Sequence, residues 1–557
     1  MTEDGRSGGR AARVAGGIFL SRVAGFLRDR AMAHYFGIGP HADVFRTALR
    51  GPNLLQNLLG EGSISAAFIP IYARLLGEGR ERDAGRFAGA IFAILLAVAA
   101  ALSLLGIALA RPITALLAPG FLGDAARVAA GEMTLDRFAL SVTAVRIIFP
   151  MTGILVLSAW ALGVLNSHRR FFLPYFAPVL WNGAIIAALW YAGGRLAGGA
   201  PGAPLDRLVI AACYGALAGG LLQFLVQLPL VVRVLRGFRL FPRGPVEGVR
   251  GALRAFGPVV AGRGVYQLSA YIDLLLASLL AGGAIAALGW AQTLYILPVS
   301  LFGLSIAAAE LPEMSRRTGA EAGPEVAARV LRSLRQMAFL TAPTCVGYLC
   351  FGYLIVGAIY RTGRFSAADN WIVYLVLGGY SLGLLATTWS RLMQNAFYAH
   401  GDTRTPARIA AGRVAVSAAA AVPLMLWLDR FPLAAFVAAP ASGWAAGDAP
   451  TPGLFLGAVG LALASAIGAW VELALLQSAL RARFGEFRLP VAALLRMSGT
   501  ALLAAGPAAV VWVLLPAMHV ALTALLVVGL FAAAYLGLAR GFGLSELEAW
   551  TGRLCRR

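Results

Sequence analysis

Long apolar runs dominate this chain, and short polar or Gly/Pro-bearing breaks divide them. A membrane-crossing helix needs about 20 predominantly apolar residues. Runs of that order occur near 13–36, 42–74, 86–110, 138–166, 171–193, 207–233, 251–280, 283–314, 330–360, 368–398, 405–428, 454–482, 489–515 and 518–540. The pattern predicts an all-α polytopic membrane protein with about 14 transmembrane helices. The run 42–74 is the most interrupted, because Pro52, Gly60 and Gly62 fall in its second half. A bent or discontinuous helix is expected there, of the kind tolerated where it lines a cavity.

The breaks are not alike. Alternate connections collect arginine: Arg74, Arg80, Arg82 and Arg86, then Arg169 and Arg170, then Arg233 through Arg254, Arg316 through Arg335, Arg404 and Arg408, and Arg481 through Arg488. The intervening GIGPHA, AGGA and LPAMH have none. Cytoplasmic loops carry the excess of positive charge, so both termini are expected in the cytoplasm, which an even number of spans allows. No connection is long enough for a separate soluble domain. The longest on the arginine-poor side, near 111–137 and 429–453, are rich in Gly, Ala and Pro and show no site chemistry.

A repeat runs through the pattern. Ser63 to Arg74 reads SISAAFIPIYAR, and Ser305 to Arg316 reads SIAAAELPEMSR, an offset of 242. A looser pair, LNSHRRFFLP (165–174) and YAHGDTRTP (398–406), joins an even span to an odd one through a basic turn ending in proline. An even number of spans between copies preserves their orientation and predicts parallel repeats. The organisation expected is an N-terminal lobe over 1–240, a C-terminal lobe over 241–485, each of six helices, and two further helices with a tail over 486–557. Such repeats suit alternating access, with substrate held between the lobes.

Composition sharpens this picture. Of 557 residues 59% are hydrophobic and 13% charged, and mean hydropathy is +0.76. The net charge of +21 rests on 47 basic residues, all arginine. Without a basic soluble domain it does not indicate a nucleic-acid partner, and genomic compositional bias accounts for it. Cys213, Cys345, Cys350 and Cys555 form no CxxC, and the five histidines form no HExxH, so neither a metal site nor a disulfide is expected. Arg22 and Arg28 make the first run a poor signal-peptide core and a better retained helix.

The charges inside the runs carry the candidate chemistry. Intramembrane charges are costly and usually face a protein interior or a watery cavity. If 43–61 is one helix, Asp43 and Glu61 share an angle, with Arg46, Arg50, Asn53 and Asn57 within about 80° to one side. On the first run Arg22 and Asp29 are nearly in line, with Arg28 alongside. Arg263 and Asp273 both fall in the seventh run. A cavity lined by guanidinium groups suits phosphate, which arginine binds bidentately. The structural alternative is internal ion pairing, or arginines snorkelling to the interface. Asp273 could hold a coupling cation or pair with an arginine. Glu310, beside Pro312, reads as exposed, and Glu472 has no assigned role.

SRVAGFLRD, FGIGPHADVF and PNLLQNLLGEGSISAAFIPIYAR resemble the N-terminal signature of the MurJ/MviN lipid II flippase family, within the multidrug/oligosaccharidyl-lipid/polysaccharide exporter superfamily; ELPEMSR and AFYAHGDTRTP are similar to its second-half motifs. The resemblance covers roughly the first 410 residues. It implies a V-shaped transporter of the bacterial inner membrane that moves a polyprenyl-diphosphate-linked peptidoglycan precursor outward by alternating access. Arg22 and Arg28 match family cavity arginines, Asp43 and Glu61 match family acidic positions, and Asp273 falls where some members have a cation-site aspartate. The substrate-binding set implied is thus Arg22, Arg28, Asp43, Arg46, Arg50, Asn57, Glu61 and Arg263, with Asp273 for coupling. The chain departs from the family at Gln56 and Thr293, where arginines are usual, and Arg50, Arg263 or Arg391 could supply the missing charge. Expected partners are a lipid-linked anionic oligosaccharide, membrane lipids and the cell-wall synthesis machinery. No cofactor is expected beyond a coupling cation (Na+ or H+) or the membrane potential. A flippase for another lipid-linked oligosaccharide and a cation-coupled exporter remain alternatives, although an exporter of cationic drugs would prefer an acidic, aromatic cavity. A polyprenyl glycosyltransferase would need catalytic carboxylates or a large outer loop, and neither is evident.

Overall fold

The computed structural model describes residues 3–197, 205–242, 244–307, 310, 314, 322–434, 454–485, 487–516 and 518–547. Helix occupies the described part of every apolar run. In chain order the helices are α1 (Glu3–Phe36), α2 (Pro40–Leu59), α3 (Glu61–Ala67), α4 (Ile69–Gly77), α5 (Glu81–Ala108), α6 (Ala110–Leu117), α7 (Asp124–Ala129), α8 (Arg137–Ser167), α9 (Phe172–Phe176), α10 (Pro178–Ala197), α11 (Leu205–Leu225), α12 (Leu228–Val234) and α13 (Val249–Ser278). They continue with α14 (Ala284–Pro298), α15 (Ala322–Tyr360), α16 (Ala367–Ser381), α17 (Leu384–Ala399), α18 (Arg404–Leu428), α19 (Gly457–Phe484), α20 (Val491–Leu514) and α21 (Val520–Gly541). The one extended pairing among the described residues is an isolated antiparallel bridge between Pro432 and Phe455.

Ten helices are long and apolar enough to cross a membrane, eleven if α16 and α17, bent by 41°, form one broken span. Three helices at expected spans fall outside that set: α1, α2 and α13. These carry Arg22, Arg28 and Asp29, then Asp43, Arg46 and Arg50, then Arg263 and Asp273. The charges that make them poor lipid-facing helices are the candidate site residues.

Cα proximity divides the chain into Met1–Ile285 and Ala286–Arg557, so α13 groups with the first unit, whereas the repeat starts the second lobe at residue 241. In the first unit α8 is the central helix. Within its apolar segment 83% of residues are buried, against 22% for α5. It packs against α2, α5 and α11, while α10 joins α11 to α1. From Met151 to Leu165 nearly every residue is buried and the stretch is almost wholly apolar, as a helix covered on all sides must be, whereas Thr143 and Arg146 in its first half are exposed. At one end of this unit, Gly120 N–H donates to Ser278 Oγ at 3.2 Å and Arg137 pairs with Asp124 at 2.5 and 2.9 Å. At the other, Arg80 and Arg74 hydrogen-bond Glu247 at 2.7 and 3.0 Å and hold its carboxyl below the usual range.

In the second unit α15 packs against α16, α20 and α21, and α18 lies along α19. Glu472, left unassigned by sequence, is buried and takes Arg413 Nη1 at 2.7 Å and Gln394 Nε2 at 2.8 Å. Both carboxylate oxygens are engaged, which ties α17, α18 and α19 together. Glu310 corrects an expectation: it is half-buried rather than exposed, and accepts from Arg329 Nε at 2.5 Å.

The break in the second run is sharper than a bend. The helix stops at Leu59, and Gly60, at φ −84° and ψ −137°, lies outside helical geometry before α3 begins at Glu61. A side chain at Gly60 would collide with the Gln56 carbonyl oxygen. Asp43 and Glu61 therefore do not share one continuous helix, and the common angle expected for them is lost. The second copy of the repeat lies mostly outside the described residues. Immediately before it, however, Val299–Leu304 forms a π-helical turn, and at the repeat offset this matches residues 57–62, where Gly60 breaks the helix just ahead of the first copy. The looser pair also shares a geometry. After α8, Arg169 adopts φ 59° and Arg170 N–H donates to Leu165 O at 2.8 Å; after α17, Gly401 adopts φ 75° and Asp402 N–H donates to Phe397 O at 3.0 Å. Both are left-handed helix ends with the same six-residue hydrogen bond.

Candidate functional site

The first unit contains a polar cavity of about 270 Å³ bounded by α1, α2, α8, α9, α10 and α11. Arg22 from α1 and Gln56 from the last turn of α2 reach it, with Ser21, Ser158, Tyr175 and Gln223. The rest of the wall is apolar, including Leu155, Leu162 and Pro174. Arg22 supplies the one formal charge on this wall. Its guanidinium can grip phosphate or carboxylate bidentately, while carboxamides and hydroxyls both donate and accept. Such an arrangement is equipped for recognition of an anionic, hydroxyl-rich group.

Arg28 follows six residues later on α1, roughly 9 Å along the axis. Its Nη2 and Nε meet Asp29 Oδ1 at 2.8 and 3.2 Å, and its guanidinium carbon lies 5.1 Å from the ring centroid of Trp181 on α10. Asp29 is buried, so α1 holds an internal ion pair beside the cavity wall rather than two free charges.

The α2 stripe is partly as expected. Arg46, Arg50 and Asn53 are half-buried and Asn57 is exposed, while Val44, Phe45, Ala48 and Leu49 are buried. Arg50 lies within electrostatic reach of Tyr271 on α13, two residues from the half-buried Asp273. None of Arg46, Arg50 and Asn57 lines the cavity around Arg22. Asp43 stands apart, thirteen residues or roughly 20 Å of helix from Gln56. It is 1% exposed and accepts a hydrogen bond from Gly283 N–H at 2.5 Å, fastening the start of α2 to the turn beyond α13. The side chains of Glu61 and Arg263 lie outside the described residues.

Sequence reasoning missed Ser158, Tyr175, Gln223 and the adjacent Gln227. Gln223 and Gln227 sit four apart in LLQFLVQL, a spacing that puts both on one helical face. Uncharged polar residues deep in an apolar run carry the same signal as charges, only weaker. Among the described residues, no group of three or more His, Cys, Asp or Glu converges as a metal-ligand set.

Comparison with known proteins places this geometry. Residues 32–446 match the family described as Lipid II flippase MurJ, a match that begins just after Arg22 and Arg28. Lipid II flippase MurJ of Burkholderia cenocepacia is 32% identical over 408 residues, 72% of this chain and 75% of that one. The probable lipid II flippase MurJ of Rhizobium tropici is 33% identical over 440 residues, covering 77% and 78%. Among solved structures, a lipid II flippase MurJ in an inward closed conformation superposes with a TM-score of 0.71 over 95% of this chain and 98% of that one, at 21% identity. An inward-facing multidrug resistance transporter of the MATE family gives 0.58 over 82% and 94%, at 17% identity. At those identities both likenesses establish the fold.

Proposed function

This chain belongs to the lipid II flippase MurJ family, and we propose that it carries lipid II across the bacterial inner membrane. The observation that carries this reading is the cavity in the first unit, with Arg22 beside a neutral polar wall. A lipid-linked oligosaccharide presents a diphosphate and a hydroxyl-rich head group, and this wall offers a partner to each. Arg22 meets the diphosphate, and Arg28, paired with Asp29 and stacked near Trp181 six residues further along α1, fixes the helix that presents Arg22. Arg46 and Arg50 extend the positive potential toward α13, where Asp273 is the carboxylate for a coupling cation, Na+ or H+, if transport is not driven by the membrane potential alone. Alternation between two access states moves the head group while its hydrocarbon tail stays in lipid. Both termini lie in the cytoplasm, a reading supported by the arginine-bearing connections after α8 and α17.

The test is complementation of a strain depleted of its own lipid II flippase. The native chain is expected to restore growth and cell shape. Arg22→Ala and Arg28→Ala, inserted at native levels, are expected to fail. Native protein that inserts but does not rescue would rule out lipid II as the substrate; variants that rescue as well as native would rule out the arginine cavity.

A further inference from the structure

Several polar groups on the cavity wall have hydrogen-bonding capacity that the protein does not use. Ser158 Oγ, on α8, accepts from Gln227 Nε2 at 2.7 Å and from Gln223 Nε2 at 3.4 Å. A hydroxyl that accepts donors must send its own proton elsewhere. Ser167 on the same helix sends its proton to Gly163 O at 2.8 Å, four residues back. Ser158 makes no such bond, and no acceptor for its hydroxyl occurs among the described residues. Its free direction is the cavity it lines.

Gln227 explains why Ser158 is held this way. It is 1% exposed, and its amide nitrogen is spent on Ser158 Oγ and on Gln223 O at 2.8 Å. Its Oε1 is buried with no partner among the described residues. A buried carboxamide left half-satisfied points to a positioning duty or to a further polar group at the site. Gln223, Gln56 and Ser21 also line the cavity; the side chains of Gln56 and Ser21 make no hydrogen bond among the described residues. The Tyr175 ring, with Leu155, Pro174 and Pro178, supplies an apolar surface.

We propose that this part of the cavity is a glycan subsite, which rests on the reading of the chain as a lipid II flippase. Ser158, Gln223, Gln56 and Ser21 take the hydroxyl and amide groups of one sugar unit, Tyr175 takes its apolar face, and Arg22 takes the phosphate joined to it. Gln227 is a positioning residue that aims Ser158. The chemistry selects sugar over peptide. A peptide stem carries carboxylates and amines, which would call for several cations and anions, whereas this wall has one cation and otherwise neutral donors and acceptors. Size agrees: 270 Å³ lies just under the roughly 300 Å³ at which small-molecule pockets begin, room for one ring rather than an oligosaccharide.

The experiment titrates purified full-length protein with lipid II and, separately, with undecaprenyl diphosphate, which keeps the tail and diphosphate but lacks the sugars. Native mass spectrometry reads the bound fraction. Gln223→Leu is expected to weaken lipid II binding about fivefold, the loss of a neutral hydrogen bond, and to leave undecaprenyl diphosphate unchanged. Ser21→Ala, on a different helix, carries the same selective expectation at about threefold and decides the matter if Gln223→Leu does not fold. Equal weakening toward both lipids, or no weakening in either variant, would overturn the glycan subsite. Native protein that retains neither lipid would instead overturn the flippase reading, and the subsite with it.

Discussion

Arg137 and Asp124 show how much a single pair can matter in a segment where sequence promised nothing. Their side chains are 3% and 0% exposed, the guanidinium is bidentate on the carboxylate, and its carbon lies 4.3 Å from the ring centroid of Phe121. Removing one partner leaves a buried charge uncompensated, at about 3–5 kcal/mol. Arg137→Met is therefore expected to lower the thermal unfolding midpoint of detergent-purified protein sharply, and Arg137→Met with Asp124→Leu to recover most of the loss. A single variant as stable as native would contradict the argument. Nothing in the Gly/Ala-rich stretch 111–137 marks these residues, because pairing joins positions thirteen apart through a fold that periodicity does not describe. Arg22 was legible for the opposite reason: a charge in an apolar run is conspicuous wherever it points. Gln56 was noticed only as a departure from a familiar pattern, yet it reaches the same cavity.

At the scale of elements, helix ends carry the information that helix interiors lack. Pro52 is accommodated inside α2, whereas Gly60 ends it, so the stronger-looking breaker proved the weaker one. Proline removes one donor and needs one turn to relax; Gly60 leaves helical ψ altogether, and the phase of everything beyond it is reset. The paired turns after α8 and α17 are similar devices with different residues, Arg169 in one and Gly401 in the other. An L-residue pays for left-handed backbone where glycine does not. Arg169 is exposed, so Arg169→Gly is expected to stabilise the protein by about 0.5–1 kcal/mol after the entropy of the unfolded chain is counted, read as a higher unfolding midpoint. A lower midpoint would mean that the Arg169 side chain contributes more than its backbone costs.

At the scale of the molecule, charge placement predicts sidedness. Arg170 is exposed in the basic turn after α8, and Glu132 is exposed in the connection before it, on the side expected to face outward. In a background with Cys213, Cys345, Cys350 and Cys555 replaced by serine, Glu132→Cys is expected to react with a membrane-impermeant maleimide in intact cells and Arg170→Cys to be protected until the membrane is opened. The reverse pattern would invert the orientation and place both termini outside. The three helices too polar to count as spans on composition belong to this scale as well. α1, α2 and α13 all fall within the first unit, the unit that holds the cavity around Arg22.

Composition and run length alone determined that this chain is an all-helical, multi-pass membrane protein with charged residues it must shelter. Both follow from transfer free energies that are local properties of a segment. Tertiary structure decided which polar residues meet. Periodicity assigns a side chain an angle on its own helix but says nothing of the helix that covers that angle. Asp43 was thus drawn to the Gly283 amide, far from Gln56, while Arg22, Gln56, Ser158 and Gln223, from four different helices, share one wall. The neutral half of that wall stayed invisible in the sequence because an uncharged glutamine in an apolar run is cheap enough to pass unnoticed until its neighbours are known.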